Sequence, residues 1–200
     1  MTNITFPAKS LEAYQSLQKI PPGHLNLVKC VNEVQFYGLD SCAIVLVQGC
    51  FQSFQRRIDP QTWSFAVDRP IAVEKLAEKV LEHGCNQGII LSGGEPFWQA
   101  RSLARLARKI KARGLFAISF TAFTLEKLCS HTAPLGAKEL LESLDVLVAG
   151  PYIKSLAYHE DNSPLASRNQ RVHIFNADFN DKISWSNPQR ESASFEYKPI

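Results

Sequence analysis

A pair of glycines followed by a carboxylate and a proline is the chemically most informative segment of this sequence: Ser92-Gly93-Gly94-Glu95-Pro96. It follows the apolar run 88–91 and precedes a helical pattern that starts near Phe97. Glycine lets a backbone approach a ligand closely, and Glu95 offers a carboxylate to a cationic group such as an amine. A helix N-terminus alone would also favour this carboxylate. The candidate ligand-binding residues are Gly93, Gly94, Glu95 and Pro96.

A thiol follows another apolar run upstream of the glycines. Gln48-Gly49-Cys50 comes directly after Ala43–Val47, which is short and continuous, as in a buried parallel strand. Ligands of parallel α/β sheets bind at the carboxyl ends of the strands. Because both segments follow strands, we expect Cys50 and Glu95 to face the same cleft.

Two polar residues near the end of a third predicted strand are further candidates. Ser119 and Thr121 lie at the end of Leu115–Phe120. Their side chains would contact a ribose, or they are ordinary polar residues at a strand end; the second interpretation explains them at least as well. The five histidines are scattered without a pair at ligand spacing, so no zinc site is predicted.

Strand and helix patterns alternate along the chain, which predicts an α/β fold with parallel strands and outer helices. The predicted strands are Leu25–Val34, Ala43–Val47, Gly88–Leu91, Leu115–Phe120, Val146–Ala149 and Arg171–Phe175. The predicted helices are Ile71–His83, Phe97–Arg113, Thr124–Cys129 and Ala137–Ser143. About five β-α units are too few for a closed eight-fold barrel, so a partial barrel or an open sheet fits.

Length and composition limit the class of protein. The 200 residues are enough for one domain with a core, which we place at residues 1–175, with a C-terminal tail at 176–200. A net charge of +3 gives no indication of nucleic acid, and no apolar run approaches the ~18 residues of a membrane span. The N-terminus lacks a secretory pattern. Five scattered cysteines indicate reduced thiols and a cytoplasmic location.

From about residue 34 to residue 174 the chain resembles the radical S-adenosylmethionine (SAM) superfamily, and within it the small proteins that activate anaerobic ribonucleotide reductase. That family has a strand, then Gly-Cys-x3-Cys-x2-Cys, a stretch like Asn-Pro-x-x-Trp, and a strand with Gly-Gly-Glu-Pro. The segments that carry the resemblance, in the family's order, are Ile44–Cys50, Asp59–Trp63, Ser92–Gln99, Asp145–Tyr152 and Ser167–Arg171.

The resemblance implies a partial (βα) barrel of the radical SAM type. It implies a [4Fe–4S] cluster held by three thiolates, with the fourth iron open to the amino and carboxylate groups of SAM. It also implies a glycyl-radical enzyme as partner, such as an anaerobic ribonucleotide reductase, and no nucleic acid. Glu95 would then pair with the SAM amine. Asn169 and Arg171 would line the cleft or make structural hydrogen bonds.

The cluster motif itself is incomplete in this chain. Cys50 occupies the first ligand position, whereas Phe54 stands at the second and Arg57 at the third. Iron–sulfur clusters are held by thiolates, and neither phenylalanine nor a cationic guanidinium offers a lone pair. Cys50 is therefore a remnant of the metal site, and we expect no intact cluster. The pair Arg56-Arg57 would bind an anion there or lie on a solvated loop.

The other cysteines are poorly placed to replace the missing ligands. Cys42 precedes the strand that Cys50 follows, which puts the two roughly 23 Å apart at about 3.3 Å per residue. Cys85 also precedes its strand, while Cys30 lies in an early strand and Cys129 in a helix. Each is explained as a small apolar residue.

Three functional interpretations stay open. The resemblance favours a radical SAM activase, an oxidoreductase that uses SAM and a reduced cluster. The incomplete ligand set favours a non-catalytic pseudoenzyme that keeps a SAM pocket or a partner-binding face. An altered variant of a working enzyme is the third. We expect a cluster-deficient chain, with no catalytic residue assigned.

Overall fold

A computed structural model describes residues 15–17, 19–36, 39–50, 60–67, 70–82, 87–157, 163–182 and 190–192. Within them eight strands form one sheet in the order β3-β1-β2-β4-β5-β6-β7-β8. The strands are β1 His24–Phe36, β2 Leu39–Val47, β3 Pro70–Ala72, β4 Gly88–Gly93, β5 Phe116–Thr121, β6 Val146–Ala149, β7 Arg171–Ile174 and β8 Arg190–Ser192. The predicted α/β class is confirmed.

The centre of the sheet is parallel, and its flanks are mixed. β2, β4, β5 and β6 run parallel as neighbours, as predicted. β1 pairs antiparallel with β2, and β7 antiparallel with β6, so the expectation of parallel strands throughout is wrong at these two positions. The two residues between β1 and β2 explain the first reversal, because a parallel crossover needs a dozen or more residues. Among the described strands β3 and β8 are the two ends of the order and do not pair with each other, so the sheet is not closed.

Four α-helices lie wholly within the described ranges, and residues 15–17 are also helical. They are α1 Val73–Glu82, α2 Ala100–Lys111, α3 Leu125–Leu128 and α4 Ala137–Leu141. All four were predicted, with boundaries that differ by a few residues. α1 begins after the predicted Ile71 because Pro70–Ala72 pairs with β1. α2 begins after the predicted Phe97 because Pro96–Gln99 forms a 3-10 turn.

The sheet has helices against one face and a smaller cluster on the other. Side chains alternate between the faces along each strand, so Ile89 and Leu91 pack in the larger cluster, whereas Ile90 packs in the smaller one. The larger cluster contains Leu103 and Ile110 of α2. The helices therefore cover one face of the strands that lead to the candidate cleft.

Part of the predicted tail contributes to the second face. Phe179 is fully buried and contacts Phe116 edge to face, with ring centroids 4.8 Å apart. β8 pairs in parallel with β7. The boundary between a domain at 1–175 and a tail at 176–200 stays a prediction. No helix within the described ranges is both long and apolar enough to cross a membrane.

Candidate functional site

The carboxyl ends of β2 and β4 are joined by backbone hydrogen bonds just beyond the strands. The Gly94 N–H donates to the Val47 carbonyl at 2.8 Å, and the Glu95 N–H donates to the Gly49 carbonyl at 2.8 Å. The chain segments before Cys50 and after Gly93 are therefore in direct backbone contact. This confirms the prediction that they meet at one edge of the sheet.

The contact requires glycine at two positions. Gly93 has φ +99°, and a Cβ there would lie 2.6 Å from backbone atoms of Val47. A Cβ on Gly94 would lie 2.4 Å from the Gly49 carbonyl oxygen. Real side chains do not approach backbone this closely, so the Gly-Gly pair has a structural role whether or not a ligand binds.

A cavity of about 140 Å³ opens at this edge. Its walls contain the predicted residues Cys50, Gly93, Gly94, Glu95, Pro96 and Thr121. Thiol and carboxylate thus share one pocket, as the topology predicted. Whether these residues bind a ligand stays a prediction.

The Glu95 carboxylate is buried, with 2% of its surface exposed, and accepts three hydrogen bonds from its own chain. Oε1 accepts from the Phe97 N–H at 3.0 Å and from the Thr121 hydroxyl at 2.9 Å. Oε2 accepts from the Ala122 N–H at 2.9 Å. A carboxylate offers about four acceptor sites, so one site, on Oε2, is left for a ligand. Glu95 thereby joins the ends of β4 and β5 and caps the following 3-10 turn.

Burial decides the protonation of Glu95. Loss of water raises its pKa, while the N–H groups of Ala122 and Phe97 and the Thr121 hydroxyl lower it, and the net result is a pKa of about 7. The carboxylate is therefore close to half-ionised at neutral pH. A cationic ligand beside it would favour the charged form.

Cys50 is buried and protonated. Loss of water, and then the charge of Glu95, raise the pKa of this thiol to about 12. No group of three or more His, Cys, Asp or Glu side chains that could hold a metal occurs among the described residues. The donors described at this edge therefore do not fit a [4Fe–4S] cluster. Phe54 and Arg57 lie outside the described residues, so their assignment to ligand positions stays a prediction.

The remaining described thiols are located away from the pocket. The prediction that Cys42 precedes its strand is wrong, because β2 begins at Leu39 and contains Cys42. Cys42 pairs with Gly88 at the start of β4, whereas Cys50 follows the other end of β2. Cys30 pairs with Val45 inside the sheet, and Cys129 follows α3. None of these three lines the cavity. The fifth, Cys85, lies outside the described residues.

Of the two polar candidates at the end of β5, Thr121 lines the pocket and Ser119 does not. Thr121 lines the pocket, but its hydroxyl donates to Glu95 and accepts from the Phe123 N–H. Ser119 is fully buried, donates to the Phe120 carbonyl at 3.3 Å and does not line the pocket. Its contact with a ribose stays a prediction without geometric support.

Two lining residues, Tyr152 and Gln170, were missed by the sequence analysis. The Gln170 amide donates to the Gly150 carbonyl at 2.9 Å and accepts from Ala166 and Ser167 N–H groups. Both lie in segments that carried the family resemblance, which was the available signal. Their neighbours make structural hydrogen bonds: Asn169 donates to the Pro151 carbonyl, and Arg171 donates to the Arg168 carbonyl.

Gln99, which the sequence analysis also missed, is hydrogen-bonded to the backbone of the segment that leads to Cys50. Its amide donates to the carbonyls of Gln48 at 3.0 Å and Asn26 at 3.1 Å, and accepts from the Asn26 N–H at 2.8 Å. One buried side chain thus joins the end of β2 to β1. An isolated glutamine at the start of a helix gives no sequence signal for this role.

Comparison with known proteins identifies the family. A family model described as "4Fe-4S single cluster domain" matches residues 37–173, so the chain belongs to that family. The chain is also 29% identical over 99 residues to "Pyruvate formate-lyase-activating enzyme" of Staphylococcus epidermidis (strain ATCC 12228 / FDA PCI 1200). That alignment covers 46% of this chain and 39% of the relative, well under two thirds of its length.

The glycine contact gives a stability prediction. We expect Gly94→Ala to lower the free energy of unfolding by about 3 kcal/mol or more, because its Cβ would overlap the Gly49 carbonyl. Gly114→Ala is the control: it has φ +75° but open space, and we expect a loss of about 1 kcal/mol from backbone strain. Urea unfolding measures both. Equal losses would contradict the close contact.

The raised pKa of Glu95 gives a pH prediction. Its folded-state pKa of about 7 exceeds the ordinary 4.5, so its contribution to stability is complete below pH 4.5 and is lost as pH rises through 7. Relative to Glu95→Gln, the wild-type free energy of unfolding should fall by on the order of 3 kcal/mol between pH 5 and pH 8.

Glu74→Gln is the matched control for this experiment. A hydrogen bond from its own backbone N–H and the charges of Arg105 and Lys109 lower the pKa of Glu74, so its titration lies below the measured range. This variant should keep the wild-type slope between pH 5 and pH 8. Parallel curves for wild type and Glu95→Gln would show that Glu95 does not titrate there.

Proposed function

We propose that this member of the 4Fe-4S single cluster domain family is a cluster-deficient relative of glycyl-radical activases that keeps a SAM-binding pocket. One observation carries the proposal: Cys50 is the sole thiol among the described residues that line the strand-end pocket. The family's cluster needs three thiolates, and Phe54 and Arg57 stand where the sequence pattern would place the other two.

Without a bound metal Cys50 is a protonated thiol, because burial raises its pKa to about 12. Binding to iron would remove that proton, so the missing ligands, and not this pKa, support the proposal. When bound, the family's cluster supplies the electron that cleaves the sulfonium of SAM. This chain's own residues would bind and orient a ligand, and without the cluster they would have no redox centre to supply that electron.

A cationic, nucleoside-like ligand fits the pocket's groups. The remaining acceptor site on Glu95 Oε2 suits an ammonium donor. Gly93 and Gly94 have no side chains, so their backbone itself forms part of the pocket wall. Phe120 and Tyr152 add aromatic rings. SAM carries an ammonium, a sulfonium and an adenosine. It is the ligand we propose, and Glu95 is the residue that orients its amine.

The fold and partner belong to the same proposal. Helices on one face of a sheet whose parallel strands end at the pocket support a partial (βα) barrel of the radical SAM type over residues 1–175. The printed name of the Staphylococcus relative concerns activation of pyruvate formate-lyase. By analogy, a glycyl-radical enzyme such as an anaerobic ribonucleotide reductase is the proposed partner. A cytoplasmic location stays a prediction from the five scattered cysteines.

A second candidate is a working activase, favoured by the family match over residues 37–173. It requires two further cluster ligands, and Cys85 is the one cysteine of the sequence outside the described residues. The two candidates differ in one measurable property, the iron content of the anaerobically reconstituted protein.

We expect the unmodified chain to retain well below one iron per molecule after anaerobic reconstitution and desalting, because one thiolate does not hold a cubane. Phe54→Cys with Arg57→Cys should restore about four irons and four sulfides per chain. The control adds Cys50→Ser to this pair, which should remove the gain. About four irons in the unmodified chain would establish the working activase.

SAM binding is tested separately by titration calorimetry at pH 8, where Glu95 is mostly ionised. We expect saturable binding by the unmodified chain and about tenfold weaker binding by Glu95→Gln, because a charge-assisted hydrogen bond is lost. Glu126→Gln, at a position that does not line the pocket, should bind as wild type does. Equal affinity in all three proteins would remove Glu95 from the ligand site.

A further inference from the structure

A second and larger cavity lies on the other side of the 3-10 turn Pro96–Gln99. Its volume is about 330 Å³. Pro96 lines the strand-end pocket, whereas Trp98 and Gln99 line this second cavity. Its walls come from Leu17, residues 20–24, the start of α2 and Leu135. The cavity is therefore separate from the proposed SAM pocket.

The cavity has one apolar side and one cationic side. Leu17, Ile20, Trp98 and Leu135 supply hydrocarbon and aromatic surface. The cationic side contains the guanidinium groups of Arg101 and Arg105, which are hydrogen-bond donors. Ser102 and His24 add polar side chains there. No Asp or Glu occurs among the described residues that line it. The described lining residues thus carry two permanent positive charges and no negative one.

Each of these two arginine side chains lies against a glycine. The Arg101 stem crosses Gly136, where a Cβ would lie 2.5 Å from Arg101 Cγ. The Arg105 guanidinium lies beside Gly23, where a Cβ would be 3.2 Å from Nη1. The absence of a side chain at each position leaves room for the arginine at the cavity wall. Gly23 and Gly136 have φ +75° and +86°, so the turns themselves also favour glycine.

The two guanidinium groups differ in their partners. Arg105 Nη2 lies 2.6 Å from Glu74 Oε1, an ion pair between two partly exposed side chains, and Glu74 does not line the cavity. No hydrogen bond or ion pair joins the Arg101 guanidinium to another described residue. Among the described residues, Arg105 is therefore the ion-paired cation of the lining and Arg101 is not ion-paired.

We propose that this cavity binds a small organic anion that also carries an apolar group. The negative charge lies against Arg101 and Arg105, because guanidinium forks match carboxylate, sulfonate and phosphate oxygens. The apolar group lies against Trp98 and Leu17. Inorganic anions would meet only the cationic side, and neutral aromatics only the apolar side, so both should bind less tightly.

The test uses two fluorescent probes that differ by one charged group. 8-Anilinonaphthalene-1-sulfonate carries a sulfonate, and N-phenyl-1-naphthylamine is the same aromatic body without it. We expect the sulfonate probe to bind the folded full-length chain at one saturable site, and the neutral probe to bind about tenfold more weakly. Equal binding of the two probes, or no saturation by the sulfonate probe at millimolar concentration, would overturn the proposal.

Variants then locate the site. Arg101→Gln should weaken the sulfonate probe about tenfold, and Arg105→Gln should weaken it in the same direction. Arg113→Gln, an arginine just beyond the other end of α2, is the matched control and should leave affinity unchanged. Saturating SAM should leave the affinity for the sulfonate probe unchanged, which distinguishes failure here from failure of the SAM proposal. A loss in Arg113→Gln equal to that in Arg101→Gln would indicate nonspecific attraction to basic residues and overturn the site.

Discussion

The site depends on one close contact between backbones, where the chain after β4 crosses the chain after β2. The Gly94 N–H bonds to the Val47 carbonyl, and Gly94 Cα lies so near Gly49 that a Cβ has no room. This crossing fixes the positions of Cys50 and Glu95 on one wall of the pocket. Gln99 holds the same segment from the other side through the Gln48 carbonyl. The glycines are therefore required by packing before any ligand is considered.

Glu95 has two roles that oppose each other energetically. As an acceptor for Phe97, Thr121 and Ala122 it joins the ends of two parallel strands. As a buried carboxylate its charged form is disfavoured, and its pKa rises to about 7. A ligand ammonium at the remaining site on Oε2 would favour the charged form. The same group would thus link the fold of the pocket to occupancy by a cation.

The sequence predicted the parallel centre of the sheet, the four helices and the meeting of Cys50 with Glu95, because these follow from periodicity and from strand direction. It did not predict that β7 runs antiparallel, because the local pattern of a strand is the same in both directions. Gln99 and Gln170 were missed for a related reason. Their buried amides bond to backbone groups far away in sequence, and no local pattern marks such bonds. The three hydrogen bonds to Glu95 depend in the same way on the tertiary fold.

The central claim is that this family member lacks the ligands for the family's cluster. The most direct measurement is low-temperature electron paramagnetic resonance of the unmodified chain after anaerobic reconstitution and reduction with dithionite. We predict no signal from a reduced [4Fe–4S] cluster, with or without SAM, because Cys50 is the sole thiol among the described residues lining the pocket. A cluster signal of about one spin per chain, altered by SAM, would contradict the claim.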